Sequence, residues 1–170
     1  MLSLLELRSA AARYRSTLAK SLTEARVHQL PTVFLCHSHL DQDIVKGLMV
    51  FWKEAGWEVY VDWEDASMPE SPTSETAQAI KKKIVEMNYF VFLATPNSLK
   101  SRWCPWEIGF ADTKKDNDRI LLIPTTDGYN NYGSEYLGLY RHLDFSGDRR
   151  LGVWQPGQTK NGILLESLKR

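Results

Sequence analysis

Three short runs of this chain, Thr32–Cys36, Tyr89–Ala94 and Arg119–Pro124, are apolar almost without interruption. Runs of this kind, lacking the polar residue at every second position, suit strands buried on both faces, as in a parallel sheet. A fourth segment, Trp57–Asp62, alternates and then enters a polar loop holding Pro69 and Pro72. Between these segments the periodicity becomes helical. Ile44, Leu48, Phe51 and Trp52 predict a helix over Asp41–Ala55, with Gly56 as its C-terminal stop. Ala77, Ile80, Ile84 and Val85 predict another from Thr73 or Ser74 to Met87, and Trp103–Thr113 reads as a third. Strands alternating with helices imply βαβ units, right-handed crossovers and helices on both faces of the sheet. After Thr125 the pattern weakens. Either His142–Phe145 or Gly152–Trp154 supplies the fifth strand, and Gly162–Leu168 reads as a short final helix.

A length of 170 residues predicts one domain. With 43% hydrophobic and 25% charged residues the composition is globular. Lys and Arg number 21, as do Asp and Glu, and a formal charge of zero argues against a nucleic-acid binder. Two cysteines, Cys36 and Cys104, are too few for a disulfide scaffold or a structural zinc site and fit a reducing cytoplasm. No metal is expected. Nowhere does an apolar run approach the roughly 18 residues of a membrane span, and Glu6 and Arg8 break the leading apolar stretch, so no signal peptide is expected.

Residues 2–27 contain neither Gly nor Pro, and Leu4, Leu7, Ala11, Tyr14, Leu18, Leu22 and Ala25 recur at helical spacing. The segment reads as one basic amphipathic helix, ended by Pro31, that packs on its own domain, binds a partner or another copy, or lies on an anionic membrane. The expected organisation is therefore residues 1–30 as an N-terminal helix and residues 31–170 as the domain.

Ligands of open α/β sheets bind beyond the carboxyl ends of the strands. Attention falls on the loops that begin at His37, Asp62, Thr95 and Thr125. No phosphate loop, dinucleotide fingerprint or nucleophile elbow is present. His37-Ser38-His39 is a weak metal signal, and Ser38 with Asp41 suits a helix cap. Asp62-Trp63-Glu64-Asp65 gathers three carboxylates and an indole at one strand end. In Ser101-Arg102-Trp103-Cys104-Pro105-Trp106-Glu107, Pro105 suits the first turn of a helix. Glu107 then lies near the positive end of the helix dipole, which favours its charged form. Read alone, it is either an ordinary first-turn Glu beside two core Trp or a site carboxylate.

Taken together, Val33–Asp41, Gly56–Asp62 and Ser101–Glu107 resemble the TIR (Toll/interleukin-1 receptor) domain family, particularly its bacterial members, over about residues 31–155. The resemblance implies a flavodoxin-like five-stranded parallel sheet in the order 2-1-3-4-5, here preceded by the N-terminal helix. It implies an NAD⁺ glycohydrolase or ADP-ribosyl cyclase, with NAD⁺ as substrate and no separate cofactor. Glu107 matches the catalytic Glu. His37, Ser38, Asp62, Trp63, Glu64 and Trp103 match positions around the substrate. The loop after Asp62 departs from the family pattern, because Ser67–Pro72 lacks the usual Gly. A non-enzymatic TIR scaffold and a nucleoside deoxyribosyltransferase-like enzyme are the alternative readings. The resemblance further implies a cytoplasmic antiphage or cell-suicide role and a downstream effector that senses the product. Residues 31–75 carry nine acidic and two basic side chains, and residues 76–115 seven basic and three acidic. Such polarity suits head-to-tail self-association.

Overall fold

The computed structural model describes residues 1–15, 22–57, 60–62 and 73–168. In chain order the strands are β1 (Leu2–Ser3), β2 (Thr32–Cys36), β3 (Tyr60–Asp62), β4 (Tyr89–Ala94), β5 (Ile120–Thr126), β6 (Asn131–Tyr132), β7 (Arg141–Phe145), β8 (Leu151–Trp154) and β9 (Ile163–Leu164). The α-helices are α1 (Leu4–Ala11), α2 (Leu22–Val27), α3 (Gln42–Glu54), α4 (Ser74–Glu86), α5 (Pro96–Lys100) and α6 (Cys104–Asp112).

Strands β3, β2, β4, β5 and β7 lie side by side in that order and are parallel, in a flavodoxin-like α/β arrangement. The sheet is mixed rather than purely parallel. It continues through antiparallel β8 and β9, while β1 and β6 flank the last residues of β5. Both candidates for the fifth strand are thus strands: Arg141–Phe145 is the parallel one and Leu151–Trp154 its antiparallel neighbour.

The apolar runs work by their period of two. Val33, Leu35, Val91, Leu93, Leu121 and Ile123 point to one face and join the cluster built on α1 and α3. Phe34, Cys36, Phe90, Phe92, Ile120 and Leu122 point to the other and meet α4 and α6 through Ile80, Ile84, Cys104 and Ile108. At the end of α3, Gly56 takes φ +73°. The Gly56 N–H donates to Lys53 O at 3.0 Å and the Trp57 N–H to Trp52 O at 2.9 Å, a Schellman-type stop that turns the chain toward β3.

The two ends of the chain differ from the expected helices. Residues 2–27 do not form one helix: Leu2–Ser3 pair with Thr125–Thr126 as a strand, Ser3 caps α1, and α1 ends at Ala11. Leu18 lies outside the described residues, as does the side chain of Leu22. Leu2, Leu4 and Leu7 are buried in the cluster that holds Val33 and Leu48, and the Met1 ammonium pairs with Asp144 of β7. Helix α1 crosses α3 at Gly47, where a Cβ would lie 1.8 Å from the Leu7 carbonyl oxygen. At the other end, Gly162–Leu168 forms β9 and a 3-10 turn at Leu165–Ser167 instead of an α-helix.

Candidate functional site

The parallel strands deliver His37, Asp62, Thr95 and Asp127 to one edge of the sheet, each immediately after or at the end of its strand. Helix α6 begins beside that edge. Its start is set locally: the Ser101 hydroxyl accepts from the Trp103 and Cys104 N–H groups at 3.1 and 3.3 Å, and Pro105 occupies the first turn, where a missing N–H costs nothing. One turn in, the Glu107 N–H donates to Trp103 O at 2.8 Å.

That turn buries the Glu107 side chain, which is only 5% exposed. Its carboxyl lies with the thiols of Cys36 and Cys104, all three ligand atoms within 4.8 Å of one another. Burial pushes the Glu107 pKa up to about 7, and the Cys36 thiol beside it opposes the rise only in part. This corrects the expectation drawn from the helix dipole. A dipole end is worth about 0.3–1 kcal/mol at an exposed site, whereas loss of water around a carboxylate costs more. Cys36 itself is pushed well above the usual thiol range, burial first and its neighbours second, so it stays a neutral donor.

His37 follows Cys36 and is half-buried. Its Nδ1 lies 2.8 Å from Leu35 O, and burial lowers its pKa despite that contact. Ser38 is buried and its hydroxyl accepts from the Leu40 N–H at 3.3 Å, capping the 3-10 turn His39–Asp41. The cap expected at Ser38 with Asp41 nearby is thus made by Ser38 on this turn, and Asp41 itself makes no side-chain cap to α3. It is instead buried against the loop after β4: Thr95 Oγ1 donates to it at 2.5 Å and Asn97 Nδ2 at 2.7 Å.

This clamp between the first and third site loops escaped the sequence reading, and so did α5. Its signal was present, however. Thr95-Pro96-Asn97-Ser98 places a Thr cap, a Pro in the first turn and a Ser at the third helical position, and the structure closes them into a capping box. Trp103 is partly exposed beside Glu107, its ring 5.4 Å from Trp106 and edge-on. Trp106 stacks on Phe110 at 6.2 Å, with Lys81 Nζ within 5.6 Å of both ring centres. Asp62 ends β3, paired in register with Phe34. Trp63 and Glu64 lie outside the described residues. The fold therefore unites Glu107 with Cys36 and Cys104, and sets His37, Ser38 and Trp103 on the adjoining backbone.

A family model described as TIR domain matches residues 33–153. A Bacillus cereus protein named for 3′ cyclic ADP-D-ribose synthesis is 38% identical over 116 residues, which span 65% of this chain and 59% of that protein. A Cytobacillus dafuensis protein named for cyclic ADP-D-ribose synthesis is 29% identical over 82 residues, 46% of this chain and 22% of the relative. The chain thus spans less than two thirds of the length of either relative. No helix among the described residues is long and apolar enough to cross a membrane.

Proposed function

We propose that this chain, which belongs to the TIR domain family, cleaves the nicotinamide–ribose bond of NAD⁺ and closes the product into a cyclic ADP-ribose isomer. The observation that carries this reading is Glu107: a buried carboxyl with a pKa near 7, held at the ligand edge of an α/β sheet.

Nicotinamide in NAD⁺ is already cationic at its ring nitrogen, so it departs with the bonding electrons as a neutral molecule and needs no proton. The anomeric carbon left behind has oxocarbenium character, as in glycoside cleavage. The Glu107 carboxylate stabilises that charge and holds the adjacent ribose hydroxyls. Attack by a hydroxyl of the adenosine ribose forms the new C–O bond and releases one proton. A carboxylate with a pKa near 7 is well matched to accept that proton at neutral pH. Attack by water instead gives ADP-ribose. The names of both relatives favour cyclisation, and a 3′ product corresponds to a ribose hydroxyl as nucleophile. Trp103, His37 and Ser38 line the reacting nucleotide. The family resemblance also assigns Asp62, Trp63 and Glu64 to the substrate, and of these Trp63 and Glu64 lie outside the described residues.

The same reading makes the cyclic nucleotide a signal to a separate effector in the cytoplasm of a bacterium under phage attack. Copies of the chain associate head to tail through the acidic segment 31–75 and the basic segment 76–115. The decisive test is to incubate the pure chain with NAD⁺ over a range of protein concentrations and to identify products by mass spectrometry. Nicotinamide with an equimolar cyclic isomer is expected, and Glu107→Gln should abolish both. Turnover that survives in Glu107→Gln, release of free base from nucleosides in place of nicotinamide, or no nicotinamide at any concentration refutes the proposal.

A further inference from the structure

Cys104 and Glu107 are three apart on α6, so their side chains share one face of the helix. Opposite that face stands Cys36, the last residue of β2. Both thiols are free, and each cysteine is 1% exposed. The two sulfurs and a carboxylate oxygen lie within 4.8 Å of one another. Two cysteines by themselves are too few for a structural zinc site. Folding supplies a third ligand, 71 positions from Cys36 in the numbering, by laying α6 against the end of β2.

We propose that Cys36, Cys104 and Glu107 form a three-ligand site for a thiophilic divalent cation, Zn²⁺ above all, and that filling it switches off NAD⁺ cleavage. Tetrahedral zinc with bonds of about 2.3 Å to sulfur and 2.1 Å to oxygen holds its ligand atoms about 3.5–3.8 Å apart. A closure of about 1 Å, within reach of side-chain rotation, brings the three into that range. The fourth position is left to water. Two sulfurs and one oxygen select a borderline-soft ion over Mg²⁺ or Ca²⁺, which prefer oxygen-only shells. Binding displaces the protons of the two thiols into solvent, together with any proton on Glu107, so occupancy rises with pH. The consequence for turnover rests on the reading of Glu107 given above: a carboxylate bound to zinc cannot also serve the ribose. The site is inhibitory, because it consumes the reacting carboxylate.

The test uses the reduced, tag-free full chain at pH 8. Zn²⁺ uptake is measured by competition with a chromophoric chelator, Co²⁺ by its thiolate charge-transfer absorption, and nicotinamide release in the same samples. One Zn²⁺ per chain is expected. NAD⁺ cleavage should fall in proportion and recover on adding chelator, and Mg²⁺ should do neither. Cys104→Ala should weaken uptake by at least about tenfold, as loss of a direct ligand demands. Absence of stoichiometric Zn²⁺ uptake by the wild-type chain overturns the proposal, and so does absence of the Co²⁺–thiolate band, whatever the variant's stability. Equal uptake by a folded Cys104→Ala overturns it too. Cys104-dependent uptake by a chain that releases no nicotinamide sustains the metal site and refutes the activity.

Discussion

Gly47→Ala should damage this protein far more than a single methyl group suggests. A Cβ at position 47 would lie 1.8 Å from the Leu7 carbonyl oxygen and 2.5 Å from its carbon. Ordinary contact begins at 3.4 Å, and the obstacle is backbone, which no side-chain rotation relieves. Helix α1 must therefore draw back from α3 by about 1.5 Å or leave it. Withdrawal opens the packing of Leu2, Leu4 and Leu7, all at most 5% exposed. Each buried leucine is worth about 1.5–3 kcal/mol. Retreat that forfeits half of this burial costs about 3 kcal/mol, and complete detachment about 6 kcal/mol. At about 2–4 °C per kcal/mol for a chain of this size, the smaller figure lowers Tm by about 6–12 °C. Gly109→Ala is the matched control, since Gly109 is an exposed residue of α6 with nothing within 4 Å of the added carbon. It should gain up to about 1 kcal/mol from helix propensity. Urea unfolding followed by tryptophan fluorescence reads both, and limited proteolysis reads whether α1 is released. Should Gly47→Ala lie within about 0.5 kcal/mol of Gly109→Ala, the close crossing of α1 and α3 is wrong.

Glu107→Gln should be more stable than the wild type as well as inactive. Between pH 4.5 and 7 the folded chain keeps a proton on Glu107 that the unfolded chain has lost, so wild-type stability falls as pH rises through that window. The full loss is about 3 kcal/mol above pH 7, and the variant escapes it. Denaturation midpoints of the two should coincide near pH 4 and separate by pH 8; a constant gap contradicts burial as the cause. For the same reason kcat/KM for NAD⁺ should climb with pH and level off above about 7 as the carboxylate forms, and a pH-independent rate from 5 to 8 argues against Glu107 as the reacting group. Asp41→Ala removes the acceptor of the Asn97 amide and the nearer of the two acceptors of the Thr95 hydroxyl. It should cost about 1–3 kcal/mol in urea unfolding, and a neutral result removes the clamp from the account. Arg13→Ala breaks only an exposed pair with Glu54 at 3.0 Å, so its effect should stay below about 1 kcal/mol.

The parts of the fold that were legible in the sequence are those where one local pattern decides. Tyr89–Ala94 is a strand at the predicted residues because six consecutive apolar side chains leave nothing to face water. Thr73, Pro105 and Gly56 mark helix ends because each satisfies or removes a terminal backbone group by itself. The parts misread depend on a partner far along the chain. Leu2–Ser3 is too short to show any period, and only pairing with Thr125–Thr126 makes it a strand. Gly162 sits against the Trp154 indole, where an added Cβ would come within 2.6 Å of the ring. That contact holds the chain extended along β8, although Ile163–Leu168 has the composition of a helix.

The site divides along the same line. The place of Glu107 in a first helical turn follows from Pro105, two residues before it, and could be read directly. Its ionisation could not, because the sign depends on which of two opposed effects prevails. The dipole is a property of α6 alone and favours the carboxylate. Burial is a property of α6 docked on β2 through Cys36 and Cys104, and it favours the acid. A sequence displays the first effect and is silent on the second. The residues that bury Glu107 are thus also those that fix its chemistry, and a packing substitution at Cys36 or Cys104 should move the pH dependence of turnover as surely as a substitution that touches the substrate.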